Sequence, residues 1–257
     1  MSQWVINGLR TGIKTTVYPR GVEHAGGVTP GLPCGCEALS PSAAAALVAC
    51  CPTQVFSQIT GKVSADHRRC IHCYRCVHGL EHPADWQQTY EWASVRAQDA
   101  SLNEFIPAFK RSIHICVVDA GDCGACLNEV KQLNNPYYNM HRLGFFITPS
   151  PRHADVLLVV GPGTDHMRVA LKKIYDAMPT PKRVVAVGAC ALTGGVFAKS
   201  FVCANGVADL LPVNVEVPGN PPPPLAILHG LLVAVGRKPA ALFNAPPSAM
   251  ETNAAKF

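Results

Sequence analysis

The sequence predicts an α/β protein in two parts: a domain built on a parallel sheet over residues 111–240 and, ahead of it, a small α+β module over residues 31–85. Three observations predict it. Apolar, β-branched runs at 113–118, 156–160 and 184–187 alternate with segments of helical character, the pattern of strands buried on both faces by crossover helices. Two of those runs lead into glycine-flanked cysteines, Asp122-Cys123-Gly124-Ala125-Cys126 and Gly188-Ala189-Cys190-Ala191, on loops leaving the C-terminal ends of strands, where open α/β sheets carry their sites. A separate cysteine set, Cys70-x-x-Cys73-x-x-Cys76 with Cys51-Pro52 upstream, marks the smaller module.

The chain has 257 residues, 48% of them hydrophobic, enough for one or two domains with a core. No charge-free apolar stretch reaches about eighteen residues, so no membrane span is expected; 43–51 and 225–235 are too short. Residues 1–20 lack the continuous apolar region of a signal peptide. Twelve cysteines in a chain of this length, spaced Cys-x-x-Cys and with nothing directing export, read as reduced, largely metal-bound thiols of the cytoplasm. The net charge of +5 is scattered, with pairs such as Arg68-Arg69 and no basic blocks interleaved with aromatics. Nucleic acid is therefore not expected as a partner, and the charge reads as a solvated surface with some complementarity to an acidic neighbour.

Residues 1–30 hold many glycines and prolines and one strand-like run, Thr15-Thr16-Val17-Tyr18; that composition predicts an extended arm without helix. In the module, Cys51, Cys70, Cys73 and Cys76 form one complete four-thiolate set, because a cysteine preceding proline closes the cluster held by a Cys-x-x-Cys-x-x-Cys triplet in bacterial ferredoxins. A four-cysteine zinc site is the other chemistry open to four thiols, but it usually takes two separated pairs, and the compact triplet points to iron–sulfur. A companion cluster would need cysteines at Pro41, Ala44, Leu47 and Leu80, and all four are replaced. The module thus reads as ferredoxin-like with a single [4Fe-4S] cluster, a helix around 43–48 replacing the lost loop. Cys34, Cys36 and Cys50 are left over as structural thiols; His67, His72 and His78 flank the triplet in tuning or surface roles.

Residues 86–110 are expected to connect the parts through a helix, since Trp86, Tyr90, Ala93 and Ala97 recur at helical spacing. The sheet domain follows, with strands at 113–119, 143–148, 156–160 and 183–187 and helices at 125–133 and 165–177, a flavodoxin-like alternation. Cys116 falls within a strand as a core residue. Gly161-Pro162-Gly163-Thr164 lacks the lysine and glycine spacing of a phosphate loop. Cys123, Cys126 and Cys190, converging beside glycines, suit an iron–sulfur cluster better than a disulfide or zinc. Glu129, one helical turn beyond Cys126, can bond the backbone around such a site or meet a basic residue of a partner. Residues 241–257 read as a flexible tail.

These residues also carry a resemblance. Cys123-x-x-Cys126-x-x-Glu129, Ser150-Pro151-Arg152-His153-Ala154-Asp155 with the run 156–160 and Gly161, Met178-Pro179-x-Pro181-Lys182, Gly188-Ala189-Cys190-Ala191 and Leu211-Pro212-Val213-x-Val215-x-Val217-Pro218-Gly219-x-Pro221-Pro222 occur in order over roughly half the chain. The chain resembles the small, cluster-bearing subunit of group 4 membrane-bound [NiFe] hydrogenases and formate hydrogenlyases, homologous to the 20 kDa B-type subunit of respiratory complex I. The resemblance implies Cys123, Cys126 and Cys190 as ligands of a proximal cluster and Glu129 at the interface with a large subunit, where it is linked with proton movement. The stretch from Gly8 to Thr16 is similar to the opening of ferredoxin-like hydrogenlyase subunits, where it lies against partner subunits.

One departure matters. The family's last motif resembles Pro-Gly-Cys-Pro-Pro, its cysteine the fourth ligand, and here the position is Asn220. A carboxamide is a hard, neutral donor and a poor substitute for thiolate on iron. Four arrangements follow: Cys203 moves in, water or a partner residue completes a [4Fe-4S] cluster, the cluster is [3Fe-4S], or none is bound. The expected function is an electron-transfer subunit of a hydrogenase-, formate hydrogenlyase- or complex I-like oxidoreductase. It has no complete active site of its own and is peripheral to the inner face of the cell membrane. Its implied partners are a large subunit resembling the [NiFe] hydrogenase large subunit or the complex I 49 kDa subunit, and other soluble and membrane subunits. The alternative is a structural or assembly subunit whose proximal cluster is lost or altered.

Overall fold

The computed structural model describes residues 2–36, 40–59, 62–96, 112–197 and 200–241. The expected tail beyond residue 241 and the connecting segment 97–111 lie outside them.

The N-terminal arm departs from expectation in two ways. Residues Gln3–Thr11 form a helix, α1, which ends where Gly12 donates back to the Gly8 carbonyl at 3.1 Å. Its Trp4 and Leu9 are exposed and it buries no residue. Further on, Tyr18 and Val28 enter the main core, the Tyr18 ring meeting Tyr90 edge-on at 5.2 Å. Composition weighs a segment by the core it can build alone; this arm shares the core of the sheet domain instead.

The small module pairs β1 (Leu32–Pro33) with β4 (Trp86–Gln87) and β2 (Phe56–Ile59) with β3 (Lys62–Ala65), both antiparallel, beside helix α2 (Pro41–Cys50). Ser40 caps α2, its hydroxyl accepting from the Ala43 N–H at 3.3 Å, and Pro41 occupies the first turn, where its missing N–H costs nothing. Ala44 and Leu47, two positions where a companion triplet would carry thiols, are fully buried in the module's own apolar core with Val55, Phe56 and Val63.

The expected connecting helix is not formed between residues 86 and 96. Trp86 belongs to β4, and Ser94–Val95 forms β5. Trp86 packs against the module's core while Tyr90 and Trp92 are buried in the main core, so the helical spacing of Trp86 and Tyr90 reflects anchoring into two different cores.

Five parallel strands follow: β6 (Ile113–Asp119), β7 (Phe145–Ile147), β8 (Val156–Val160), β9 (Arg183–Val187) and β10 (Val215–Val217), with β5 added antiparallel at the edge. The sheet order is β5-β10-β9-β8-β6-β7, so the parallel strands run 2-1-3-4-5 and the chain reverses direction across the sheet between β6 and β8. β8 and β9 are buried at every residue, which is why they read as continuous apolar runs. Helices α3 (Ala125–Gln132), α4 (Asp165–Ala177), α5 (Ala189–Thr193) and α6 (Pro224–Ala234) complete the domain. One face of the sheet packs against α3 and α6 around Ile113, Leu158, Val185 and Val217; the other packs around Leu157, Val159, Leu171 and Ala186. Every residue of α6 is buried, as a helix apolar on all sides must be. Among the described residues no helix is long and apolar enough to cross a membrane.

Candidate functional site

At the C-terminal mouth of the sheet, short polar side chains shape the first cysteine loop. Asp119 Oδ1 accepts from the N–H groups of Gly121 and Asp122 at 2.9 and 2.6 Å, and Asp122 Oδ2 accepts from those of Gly124 and Leu127, both at 3.0 Å. The chain is thereby turned into α3, with Cys123 exposed on the loop and Cys126 buried in the first turn. The second loop is tied to the third: Gly188 donates to the Val217 carbonyl at 2.9 Å and Ala189 to the Gly219 carbonyl at 2.7 Å. Cys190 on α5 and the Asn220 loop are therefore held together.

Gly188 shows how closely these loops meet. Its φ is +93°, and a Cβ there would lie 2.5 Å from Cys126 Sγ, so only glycine fits between the two thiol-bearing segments. Asn220 is half-buried beside them. Cys203 sits on a segment paired with Thr164, just after β8. Cys116, by contrast, is buried within β6 in the opposite core.

Burial pushes the Cys126 thiol up, with Asp122, Cys190, Cys123 and Glu129 adding to it. Cys190 is likewise raised by burial, then by Cys123 and Asp122. The Glu129 carboxyl is also raised by burial. Thiols crowded together out of water keep their protons until a cation offsets the charge, and metal binding then releases those protons.

In the module, Cys51, Cys70, Cys73 and Cys76 line a single shallow depression with Pro33, Tyr74 and Trp86. His72 and Tyr74 take left-handed backbone conformations between the cysteines, with φ of +52° and +57°, and the His72 N–H is turned to the Cys70 sulfur. Val55 N–H donates to Cys51 Sγ at 3.3 Å. The Trp86 indole N–H is buried without a hydrogen-bond partner and lies toward Cys76. Burial, with the neighbouring thiols behind it, pushes Cys70 up to about 12. Donors aimed at sulfur from a concave backbone suit thiolates carrying the negative charge of an iron–sulfur cluster. The module's cysteine set therefore fits such a group; in the sheet domain Cys126 and Cys190 stand on loops held together, and with Cys123 they offer the soft donors iron takes. Among the described residues no three His, Cys, Asp or Glu side chains are drawn together as a single metal ion requires; the module's four thiols line a depression instead.

The two sets are carried by elements in direct contact. Thr193 Oγ1 on α5 lies 3.5 Å from the Arg68 carbonyl, two residues before Cys70. Trp92 Nε1 donates to the Pro218 carbonyl at 2.8 Å, and the His72 ring lies 6.3 Å from Trp92 and 5.9 Å from Trp86. Arg96 approaches the buried Glu216 of β10 at 3.6 Å, and Arg68 also faces it. The leftover residues have quieter settings. The Cys50 thiol donates to the Leu47 carbonyl, Cys36 pairs with Val63, His67 Nε2 lies 2.8 Å from the Pro33 carbonyl, and Cys34 is half-buried. Trp86, Trp92, Thr164 and Gly188 emerge as site-shaping residues; Trp86 read from sequence as part of a connecting helix and Gly188 as a glycine flanking Cys190, while only spatial neighbours distinguish Trp92 and Thr164.

Residues 123–234 match the family described as NADH ubiquinone oxidoreductase, 20 Kd subunit. A probable membrane-bound hydrogenase subunit of Pyrococcus furiosus is 41% identical over 136 residues, covering 53% of this chain and 80% of that protein. The chain belongs to this 20 Kd subunit family. Formate hydrogenlyase subunit 7 of Escherichia coli is 36% identical over 56% of this chain and 55% of its own length. An NADH-quinone oxidoreductase subunit of Bacteroides thetaiotaomicron is 47% identical over 42% of this chain and 55% of its own. The family match begins at Cys123 and takes in Cys126, Cys190, Cys203 and Asn220; the cysteine module lies ahead of it.

Proposed function

We propose that this chain is an iron–sulfur electron-transfer subunit of a membrane-associated oxidoreductase of the hydrogenase, formate hydrogenlyase or complex I kind. Cys51, Cys70, Cys73 and Cys76 would hold a [4Fe-4S] cluster, and Cys123, Cys126 and Cys190 a second cluster, [4Fe-4S] or [3Fe-4S]. When bound, such a cluster accepts and releases single electrons at a potential set by its protein surroundings. The residues do the rest. Thiols raised by burial would release their protons to solvent as their sulfurs bond iron, the N–H groups of Val55, His72 and Trp86 would offset charge on sulfur, and the Trp92 and Thr193 contacts hold the two sets at a fixed separation.

The observation that carries this reading is the contact of α5, bearing Cys190, with the 3-10 turn His67–Arg69 that leads into Cys70. Two redox sites on abutting elements fit a relay. Glu129, its carboxyl raised, fits an interface with a large subunit resembling that of [NiFe] hydrogenases or the complex I 49 kDa protein. The chain would then lie at the inner face of the cell membrane through its complex, with other soluble and membrane subunits. A specific observation, Asn220 in place of a thiolate, supports a second reading: a structural subunit in which only the module is redox-active. Purifying the complex anaerobically and following reduction of both signals by EPR on addition of its electron donor tests the relay; a chain whose signals stay unchanged while the complex turns over contradicts it.

A further inference from the structure

The segment around Cys203 is built into the mouth of the sheet. Asp165 N–H donates to the Val202 carbonyl at 2.8 Å and Ala204 N–H to the Gly163 carbonyl at 3.2 Å. These bonds flank the antiparallel pair Thr164 and Cys203, which makes it a non-hydrogen-bonded pair. In such a pair the two side chains leave on the same side and stand closest together. Where Thr164 points, Cys203 points too.

Thr164 points at the first cysteine loop. Its methyl and hydroxyl occupy the space a Cβ of Gly121 would need, with Oγ1 3.1 Å from that position, and Gly121 holds a φ of +100°. Gly121 is two residues before Cys123. On its other side the same segment folds against α5, because a Cβ at Gly206 would lie 2.6 Å from the Leu192 carbonyl. Ser200 fixes the turn, its hydroxyl accepting from the Cys203 N–H at 3.2 Å and its own N–H donating to the Cys203 carbonyl at 3.1 Å. Cys203 is thus bracketed by the segments that carry Cys123 and Cys190. Cys116 faces the core, and the remaining thiols belong to the module.

We propose that Cys203 supplies the fourth thiolate of the iron–sulfur site in the sheet domain, in the role that Asn220 cannot fill. The inference rests on the second cluster of the proposed function. On ligation the Cys203 thiol gives its proton to solvent as its sulfur bonds iron, and no electron changes hands in that step. Sulfur from the loop between α5 and β10 replaces sulfur from the loop after β10, and the soft donor set is kept.

The test uses the full chain isolated anaerobically, with iron and sulfide analysis and EPR of wild type, Cys203→Ala, Asn220→Ala, Cys190→Ala and the double variant Cys203→Ala/Asn220→Cys. Wild type is expected to hold about eight irons per chain. Cys203→Ala is expected to lose about four of them, or to show a three-iron signal, with the module's signal retained as proof of folding. Asn220→Ala is expected to leave both signals intact, and the double variant to regain the second. If Cys190→Ala removes the second signal and Cys203→Ala does not, Cys203 is not a ligand. Should wild type hold only about four irons, unchanged by Cys190→Ala, the second cluster itself is absent and the inference falls with it.

Discussion

The indole N–H of Trp92 donates to the Pro218 carbonyl at 2.8 Å, so the segment leaving the cysteine module fastens the loop that carries Asn220. Both groups are buried. Trp92→Phe removes the donor and leaves a buried carbonyl unsatisfied, and the chain is expected to lose about 1–3 kcal/mol of stability. Chemical denaturation measures the loss. EPR of the second site is expected to change more than that of the module, since the loop and not the triplet is released.

Trp86 acts on the other set. Its N–H faces Cys76, and a donor to sulfur favours the more negative, reduced state of a cluster. Trp86→Phe is expected to lower the module's reduction potential by roughly 40 mV, equivalent to about 1 kcal/mol for one electron. A potentiometric EPR titration reads this directly, and an unchanged potential removes Trp86 from the tuning groups.

Gly188 separates the two thiol-bearing loops of the sheet domain. In Gly188→Ala the new Cβ meets Cys126 Sγ at 2.5 Å, on a backbone with φ of +93°, a strain of about 1–3 kcal/mol. The variant is expected to fold with the module's cluster in place and to lose the second, giving about four irons per chain. Colorimetric iron analysis distinguishes this from wild-type content.

His229 gives the fold a pH dependence unrelated to the cysteines. It is buried in α6, with Nδ1 accepting from the Ala93 N–H at 3.1 Å and Nε2 lying 3.1 Å from the Pro239 carbonyl. Burial is the largest effect on its pKa, which lies below the ordinary value of 6.5. The folded state therefore binds this proton less readily than the unfolded chain. The stability it contributes is full above about pH 6.5 and is lost as pH falls from there through the depressed folded value. Thermal unfolding of His229→Gln is expected to show a smaller decline over that range than wild type, though from a lower starting point.

The strands β6, β8 and β9 and helix α4 were legible in the sequence because burial on both faces of a parallel sheet, or on one face of a helix, leaves an unambiguous pattern. Less legible were α1, whose glycine-bearing sequence argues against helix, and β5, two residues whose partner lies more than a hundred positions away. The aromatics at 86–92 misled because Trp86 anchors in the module's core while Tyr90 and Trp92 anchor in the main one. Cysteine spacing alone grouped the four module thiols that line one depression, and glycine flanks pointed to the mouth of the sheet. The bracketing of Cys203 by Thr164 and α5 was not readable, since it depends on which side of a bridge a side chain leaves.

The central claim is that this chain gathers iron with sulfur ligands at two adjoining places. Anaerobic purification of the full chain, followed by iron, sulfide and zinc analysis and EPR of the reduced protein, tests it most directly. The account predicts about eight irons with matching sulfide and two one-electron signals broadened by their mutual coupling. Colourless protein containing zinc or disulfides, and no iron, would contradict it.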